Sequence, residues 1–256
     1  MFDFKRTKIF AGIGTIGLLA VTILTIKFLN LHMFIGLGIF AVLLFIFAIF
    51  LQKYSADYYV KLRQRVTDHL EADQFLKEMR FLVNTNKRYS DWQLYKQFDY
   101  ALALIWTGHL EEAKESIAKT EEDFGFIIPK NLSFRLSVDH INALIDAFTD
   151  PEQFSYSMEK VEETFSQLSS EHQRRIKESP RSYYNLLNTI QDIMEGNQTD
   201  IDCHFNDYPV LFQVVILHFL ANYAKDQEKE NQFHERLHQY KGSVFILNQE
   251  NSNQLL

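Results

Sequence analysis

Two long apolar runs without a charged residue lie near the start of the chain and constrain its fold most strongly. They cover residues 9–26 and 33–51, and only the six residues 27–32 separate them. A helix needs roughly 20 apolar residues to cross a bilayer, because each residue adds about 1.5 Å to its length. The sequence therefore predicts two transmembrane helices, at about 9–28 and 33–51, that form a tight hairpin within residues 1–52.

Basic residues near the two runs predict the orientation of the hairpin. The connecting loop contains only Lys27, whereas the outer ends are flanked by Lys5, Arg6, Lys8, Lys53, Lys61, Arg63 and Arg65. Because Lys and Arg near membrane segments favour the cytoplasmic side, we predict a two-pass protein of the cell membrane with both termini in the cytoplasm. No A-x-A-like cleavage site follows the first run, so we interpret it as a retained anchor rather than a signal peptide.

Small residues in both runs predict how the hairpin packs. In the first run they recur every three residues, at Ala11, Gly14, Gly17 and Ala20. The second run has a similar series of Gly38, Ala41 and Ala48. Since small residues let helix backbones approach closely in lipid, we predict that these stripes pack the two helices on each other. The alternative is a contact with another membrane protein.

A glycine pattern in the first run matches a nucleotide-binding motif by composition only. Gly12, Gly14 and Gly17 spell G-x-G-x-x-G. That motif binds a dinucleotide only between a strand and a helix, with an acidic residue about 20 positions later. Here the pattern lies in a predicted membrane span, and residues 30–32 contain no acid. We therefore expect no dinucleotide cofactor.

Charge and cysteine content exclude two further classes of function. The chain has a net charge of −7, and because its first 51 residues carry +3, the remainder carries −10. This is a poor match for nucleic acid, which requires a basic surface. Cys203 is the only cysteine, so neither an intramolecular disulfide nor a multi-cysteine metal site can form, in agreement with a reducing cytosol.

Helix-start and helix-stop signals divide the rest of the chain into helices. Asp150-Pro151 and Ser179-Pro180 each place an N-capping residue before a first-turn proline, and Gly108 and Gly196 lie where helices should end. Apolar residues between these signals recur at helical spacing, and no segment alternates with period two. We therefore predict an all-α domain with helices near 53–68, 71–83, 91–107, 110–122, 132–148, 151–168, 180–195, 209–224 and 227–240.

One helix pair resembles a tetratricopeptide repeat. Small residues fall at Ala101 in the first helix and Ala113 in the second, and Gly108 lies at the turn between them. The other matching positions are Tyr100, Leu104, Leu110 and Ile117. The resemblance spans about 25 residues, and it departs from the family at Thr120, where a second small residue is usual. It implies an array of antiparallel helix pairs that serves as a protein-interaction scaffold, and it transfers no functional residues.

The predicted helix at Val210–Leu220 is almost entirely apolar. Only Gln213 and His218 are polar, and the segment is too short to span a bilayer. We interpret it as a helix buried on all sides. The alternative is a surface helix that docks on a partner, because a large exposed apolar patch usually marks an interface.

Few residues offer catalytic or metal-binding chemistry. His234 and His238 lie one helical turn apart, a spacing that can hold a divalent metal. Their surroundings, however, are acidic and amide-rich, which is typical of a solvated helix face. Cys203 and His204 are adjacent in the chain, and adjacent residues rarely have the geometry of a nucleophile and its base. We therefore predict no catalytic activity, no cofactor and no bound metal.

Aromatic residues on the helix predicted at 91–107 are candidates for a partner-binding surface. They are Trp92, Tyr95 and Trp106. Exposed Tyr and Trp in the groove of a helical array commonly bind peptides. The alternative is packing in the core.

These patterns lead to one main hypothesis and two alternatives. The main hypothesis is a non-enzymatic, bacterial-type membrane protein whose cytosolic domain, residues 53–247, recruits or regulates an unknown protein partner beside the lipid bilayer. The first alternative is an accessory subunit of a transporter or other membrane complex, in which the hairpin makes the key contact. The second is a helical membrane-bound enzyme. Residues 248–256 are rich in Asn and Gln and are predicted to be a disordered tail.

Overall fold

The computed structural model describes residues 4–28, 33–85, 91–197 and 205–248. The protein is 85% helical, and these ranges contain no strand, so the all-α prediction is confirmed for them. In chain order the helices are α1 (Phe4–Phe28), α2 (Met33–His69), α3 (Ala72–Thr85), α4 (Asp91–Trp106), α5 (Leu110–Asp123), α6 (Leu132–Thr149), α7 (Pro151–Ser166), α8 (Ser170–Lys177), α9 (Tyr183–Glu195), α10 (Val210–Asn222) and α11 (Gln227–Leu237). Short 3₁₀ helices occur at Ile128–Lys130 and Phe205–Asp207.

The bounds of these helices agree closely with those predicted from caps and apolar spacing. Two elements differ. First, α2 runs without interruption from Met33 to His69, so the predicted span at 33–51 and the predicted helix at 53–68 are one helix. Second, α8 is an additional helix, and none of its residues is buried. A helix without a buried face has no apolar stripe by which its sequence could predict it.

Capping residues account for several of the helix ends. The Asp150 carboxylate accepts hydrogen bonds from the backbone N–H groups of Glu152 and Gln153, at 3.1 and 3.2 Å, and Pro151 occupies the first turn of α7 as predicted. At Gly196 the backbone turns left-handed, with φ of +81°, and ends α9. The predicted cap at Ser179-Pro180 is wrong, because α9 begins at Tyr183, after Ser182.

Contacts divide the chain into two compact units, residues 1–63 and 64–256. The division falls within α2, because this helix continues beyond the end of the apolar run. The limit at residue 52 inferred from the sequence marks the end of apolar composition, and as a membrane boundary it stays a prediction. The predicted tail at 249–256 lies outside the described residues, whereas Asn248 ends a short helical turn.

In the first unit, α1 and α2 contact each other at two glycines. The ring of Phe47 lies against Gly14, and the side chain of Ile26 lies against Gly36. The Thr22 hydroxyl, which is buried, donates a hydrogen bond of 2.8 Å to the carbonyl of Leu18 and so meets its hydrogen-bonding need within its own helix.

In the second unit, each helix packs mainly on its neighbours in the chain. α3 packs on α4, α4 on α5, α5 on α6 and α6 on α7, while α10 contacts both α9 and α11. In addition, α6 contacts α4 and α9. This helix therefore lies at the centre of the core. One of its faces lines a groove between α5, α6 and α7.

The apolar helix α10 is part of the core. Nine of its residues are buried: Leu211, Phe212, Val214, Val215, Ile216, Leu217, Phe219, Leu220 and Ala221. They surround the helix axis rather than one side of it. The interpretation of this segment as a helix buried on all sides is confirmed, and it has no broad apolar face available for docking.

A break between α2 and α3 is stabilised by a distant segment of the chain. Leu70 adopts a left-handed backbone conformation, with φ of 59°, and is only 2% exposed. This conformation costs a non-glycine residue roughly 1–2 kcal/mol. The Leu70 carbonyl accepts a hydrogen bond of 2.9 Å from the backbone N–H of Ser243, whose Oγ accepts one of 3.0 Å from the N–H of Asp73. The residues that follow, Val244, Phe245, Ile246 and Leu247, are buried.

Candidate functional site

A polar groove lies between α5, α6 and α7. It consists of two cavities of about 410 and 470 Å³ that share Glu121, Asp139 and Lys160 in their walls. One face of α6 forms its floor with Arg135, Val138, Asp139, Asn142, Ile145, Asp146 and Thr149. These positions recur every three or four residues, so a single stripe of the helix faces the groove while its other faces are buried.

Carboxyl groups in the groove have perturbed acidities. Burial raises the pKa of Asp139, opposed by a hydrogen bond from Thr164 and by the charges of Arg135 and Lys160. The pKa of Glu121 is also raised, mainly because the carboxyl is partly buried away from water and secondly because of the negative charge of Asp139. Both carboxyls are therefore partly desolvated, and the negative charge of Asp139 disfavours the ionised form of Glu121.

Hydrogen bonds fix two of these carboxylates in place. The Thr164 hydroxyl donates to Asp139 Oδ2 at 2.6 Å, and the Ser157 hydroxyl donates to Asp146 Oδ2 at 2.6 Å. Both donors lie on α7 and both acceptors on α6. The two helices are therefore joined by polar pairs along the groove.

Negative charge exceeds positive charge along the groove. Six carboxylates line the two cavities, namely Glu121, Asp139, Asp146, Asp150, Glu159 and Glu163, against the three cations Lys114, Arg135 and Lys160. The ring of Tyr156, which is 53% exposed, forms part of the wall and lies 4.6 Å from the Lys160 ammonium. The groove thus combines an excess of acidic groups with a partly exposed aromatic ring that Lys160 already contacts.

The sequence did not predict this groove. Its carboxylates are spread over three helices, and only the packing of α5, α6 and α7 brings them together. A partial signal is present in α6, where Arg135, Asp139, Asn142 and Asp146 form a polar stripe on a helix that is otherwise apolar. Such a stripe predicts exposure of one face but gives no indication of what lies opposite.

The three aromatic candidates are in two different environments. Trp92 and Tyr95 are 49% and 48% exposed, and the Tyr95 ring contacts Phe134 at a centroid distance of 5.3 Å. Trp106, however, is only 1% exposed, and its ring stacks on Tyr183. Trp106 is therefore a core residue, and its assignment to a partner-binding surface is wrong. The assignments of Trp92 and Tyr95 stay predictions.

The small residues of the first unit also divide into two groups. Ala11 and Gly14 lie on the partly buried face of α1, which continues through Leu18 and Thr22. Gly17 and Gly38, in contrast, have no neighbouring atom within 4 Å of the position of an added Cβ, and Ala20 and Ala41 are exposed. A three-residue step turns a helix by only 300°, so the predicted stripe moves off the contact face. The prediction that Gly17, Ala20, Gly38 and Ala41 pack the two helices on each other is therefore wrong.

The histidines and the cysteine weighed for chemistry form no site in the described part of the chain. His234 lies 3.9 Å from Glu230 on the same helix face. No group of three or more His, Cys, Asp or Glu residues within the described ranges could hold a metal ion. Cys203 and His204 lie outside those ranges.

No protein-family model matches this chain, and comparison with curated proteins and with solved structures gives no match. The resemblance of residues 100–117 to a tetratricopeptide repeat therefore stays a prediction. The apolar N-terminal helices and the groove between α5, α6 and α7 are the features of the chain that bear on its function.

Proposed function

We propose that the protein is a membrane-anchored, non-enzymatic interaction module whose cytosolic domain binds a protein partner. The observation that carries this proposal is the character of α2. Among the described helices, the stretch Phe34–His69 is the one that is long and apolar enough to cross a membrane. A domain fixed to the bilayer meets its partner at a raised local concentration, so a weak contact is sufficient.

Exposed apolar side chains on both N-terminal helices support a lipid environment. Ile16 is 70% exposed on α1, and Phe34 and Phe45 are 78% and 66% exposed on α2. A soluble protein rarely exposes contiguous apolar surface of this extent. In the proposed arrangement, α1 is a second span, the two helices form a hairpin, and the flanking basic residues keep both termini in the cytoplasm.

Membrane extraction tests the anchor. The full-length protein is expected to stay in the membrane pellet after washes with alkaline carbonate and with high salt, because buried apolar helices resist both. For topology, Asn30→Cys and Lys119→Cys are each made in a Cys203→Ser background and treated in intact cells with an impermeant maleimide. We expect labelling of position 30 only. Release by carbonate, or labelling of position 119 without permeabilisation, would contradict the proposal.

The groove between α5, α6 and α7 is the proposed partner-binding surface. Its excess of carboxylates favours a partner segment that carries Lys or Arg. Helix pairs stacked as in tetratricopeptide proteins would present such a groove, and two local features support that arrangement. Ala101 and Ala113 are fully buried where α4 and α5 meet, and Gly108 has a left-handed φ of +81° at the turn between them.

Charge reversal in the groove tests partner binding. Glu159 and Glu163 line the groove on α7 and are exposed, so Glu159→Lys/Glu163→Lys should leave the fold intact. A photo-cross-linking amino acid at Tyr156 is expected to capture a protein partner in cells, and the double reversal is expected to reduce capture by about tenfold, because like charges across an interface are strongly disfavoured. Glu228→Lys, an exposed reversal on α11, is the matched control and should not change capture.

Equal capture by the double reversal and by the control would show that this groove is not the binding surface. The amount of soluble protein and the thermal melting temperature are compared first for the two variants. A loss of capture can then be assigned to binding rather than to unfolding.

A second candidate function is that of an accessory subunit of a membrane complex. The specific observation in its favour is that Gly17 and Gly38 have open space beside them instead of a neighbouring helix. Another membrane helix could approach closely there. Replacing residues 1–51 by an unrelated hairpin separates the two candidates: the interaction module should keep its activity in cells, whereas the accessory subunit should lose it.

A further inference from the structure

The break between α2 and α3 occurs without the residues that usually end a helix. The stretch from Ile39 to Thr107 contains neither Gly nor Pro, the residues that usually end a helix. The residue in the left-handed conformation is instead Leu70, whose side chain is buried. Left to its local preferences, a leucine at this position would continue the helix.

Local hydrogen bonds cross the break, from the Glu71 N–H to the Arg65 carbonyl and from the Ala72 N–H to the Leu70 carbonyl, both at 3.1 Å. Further contacts come from residues 242–247. Gly242 packs against the Cβ of Leu70, and Ser243 bridges the two helices. Its N–H donates to the Leu70 carbonyl at 2.9 Å, and its Oγ accepts from the Asp73 N–H at 3.0 Å. Ser243 thus gives the Leu70 carbonyl a second donor beside the Ala72 N–H. It also gives the Asp73 amide, in the first turn of α3, an acceptor that a continuous helix would have supplied itself.

The same segment is anchored on the opposite side by apolar packing. The Phe245 ring meets Phe148 edge-on at a centroid distance of 5.2 Å, and its Cβ lies beside Gly108, where the turn between α4 and α5 leaves room for it. Val244 and Ile246 are fully buried. The segment therefore joins the end of α2 to the core formed by α4, α5 and α6.

We propose that residues 242–247 form a releasable latch that imposes the break at Leu70, and that α2 and α3 become one continuous helix when the latch undocks. The left-handed leucine favours release, whereas burial of the apolar side chains favours docking. The state of the latch therefore sets whether α2 ends at His69 or continues into α3.

Gly242→Ala is the substitution designed to open the latch. An added Cβ would lie only 2.8 Å from the Leu70 carbonyl oxygen, which is backbone and cannot rotate away. Gly242 is not among the residues with positive φ, so alanine is disfavoured there by this contact and not by its own conformation. Lys241→Ala changes the exposed neighbouring residue and is the matched control.

Hydrogen exchange at residue resolution, on the full-length protein in lipid nanodiscs, reads out both parts of the proposal. In Gly242→Ala the amides of residues 243–247 are expected to exchange at least tenfold faster than in the wild type. The amides of Ala72 and Asp73 are expected to exchange no faster, because a continuous helix supplies them with carbonyl partners. The amides of α6 and α7 should be unchanged in both variants.

Faster exchange at Asp73 together with residues 243–247 would overturn the proposal, since the break would then persist without the latch. Unchanged exchange at residues 243–247 would overturn it as well. If Gly242→Ala does not fold, Ser243→Ala decides the question, because it removes only the Oγ contacts. It should give a smaller increase, of about threefold, at residues 243–247. In this variant the continuity of the helix is read at Ala72, because the substitution itself removes the acceptor of the Asp73 amide.

Discussion

Replacing Trp106 by alanine is expected to reduce the free energy of unfolding of the domain by about 3–5 kcal/mol, which is the usual cost of truncating a buried tryptophan. Trp106 is 1% exposed, and its ring stacks on Tyr183 at a centroid distance of 6.4 Å. The Tyr183 ring in turn contacts Phe212 at 5.2 Å. The truncation would therefore leave a cavity where α4, α9 and α10 meet.

The matched control is the only other tryptophan of the chain. Trp92 lies on the same helix and is 49% exposed, so Trp92→Ala should change stability by no more than about 1 kcal/mol. Urea denaturation of the detergent-solubilised protein, followed by circular dichroism, measures both values. Fluorescence gives an independent check, because the emission left in Trp92→Ala comes from Trp106 and should resist quenching by acrylamide. Equal destabilisation by the two substitutions would contradict the burial of Trp106.

Lowering the pH from 7 to 4 is expected to remove about 3 kcal/mol of stability through His140 alone. The residue as a whole is only partly covered, but its Nε2 atom is buried and has no hydrogen-bond partner among the described residues. Burial lowers the pKa of His140 from 6.5 to about 4, because the charged imidazolium would lose its hydration.

The sign of this effect follows from which state binds the proton. Between pH 6.5 and about 4 the unfolded chain protonates this histidine and the folded chain does not, so stability falls as the pH is lowered. Above pH 6.5 both states are neutral and the contribution is constant. Other groups titrate in the same range, so the effect is measured as a difference between variants.

His140→Phe keeps an aromatic ring beside Tyr184, which the imidazole contacts at a centroid distance of 6.5 Å, and cannot be protonated. Its stability should fall less steeply with acid than that of the wild type. His172→Gln, at an exposed position on α8, should leave the wild-type slope unchanged. Parallel pH profiles for the wild type and His140→Phe would show that folding does not lower the pKa of His140.

Local signals predicted the helices well because their causes are local. The Asp150 carboxylate caps α7 through amides two and three residues away, and the left-handed turns at Gly108 and Gly196 depend on their own backbone freedom. The almost entirely apolar composition of residues 210–220 likewise predicted that α10 lies in the core. For the cap and the two glycine turns, the interaction that fixes the helix end spans only a few residues.

Features that depend on how helices pack could not be predicted in this way. Trp106 and Tyr95 lie on one helix, yet only the neighbours of that helix decide which of them is buried. The groove carboxylates Glu121 and Asp139 come from different helices. The break at Leu70 is held by Ser243, 173 residues further along the chain. These residues are far apart in the sequence, so their contacts can be known only once the packing of the helices is known.

That separation of 173 residues also sets an order of events during synthesis. At roughly 5–20 residues per second, a ribosome needs about 10–30 s to translate the chain from Leu70 to Ser243. Helices α3 to α7 pack on their neighbours in the chain, so they can assemble within this interval. Throughout that time Leu70 has no partner in Ser243, so the end of α2 gains this hydrogen bond only after the helices between the two residues have been made.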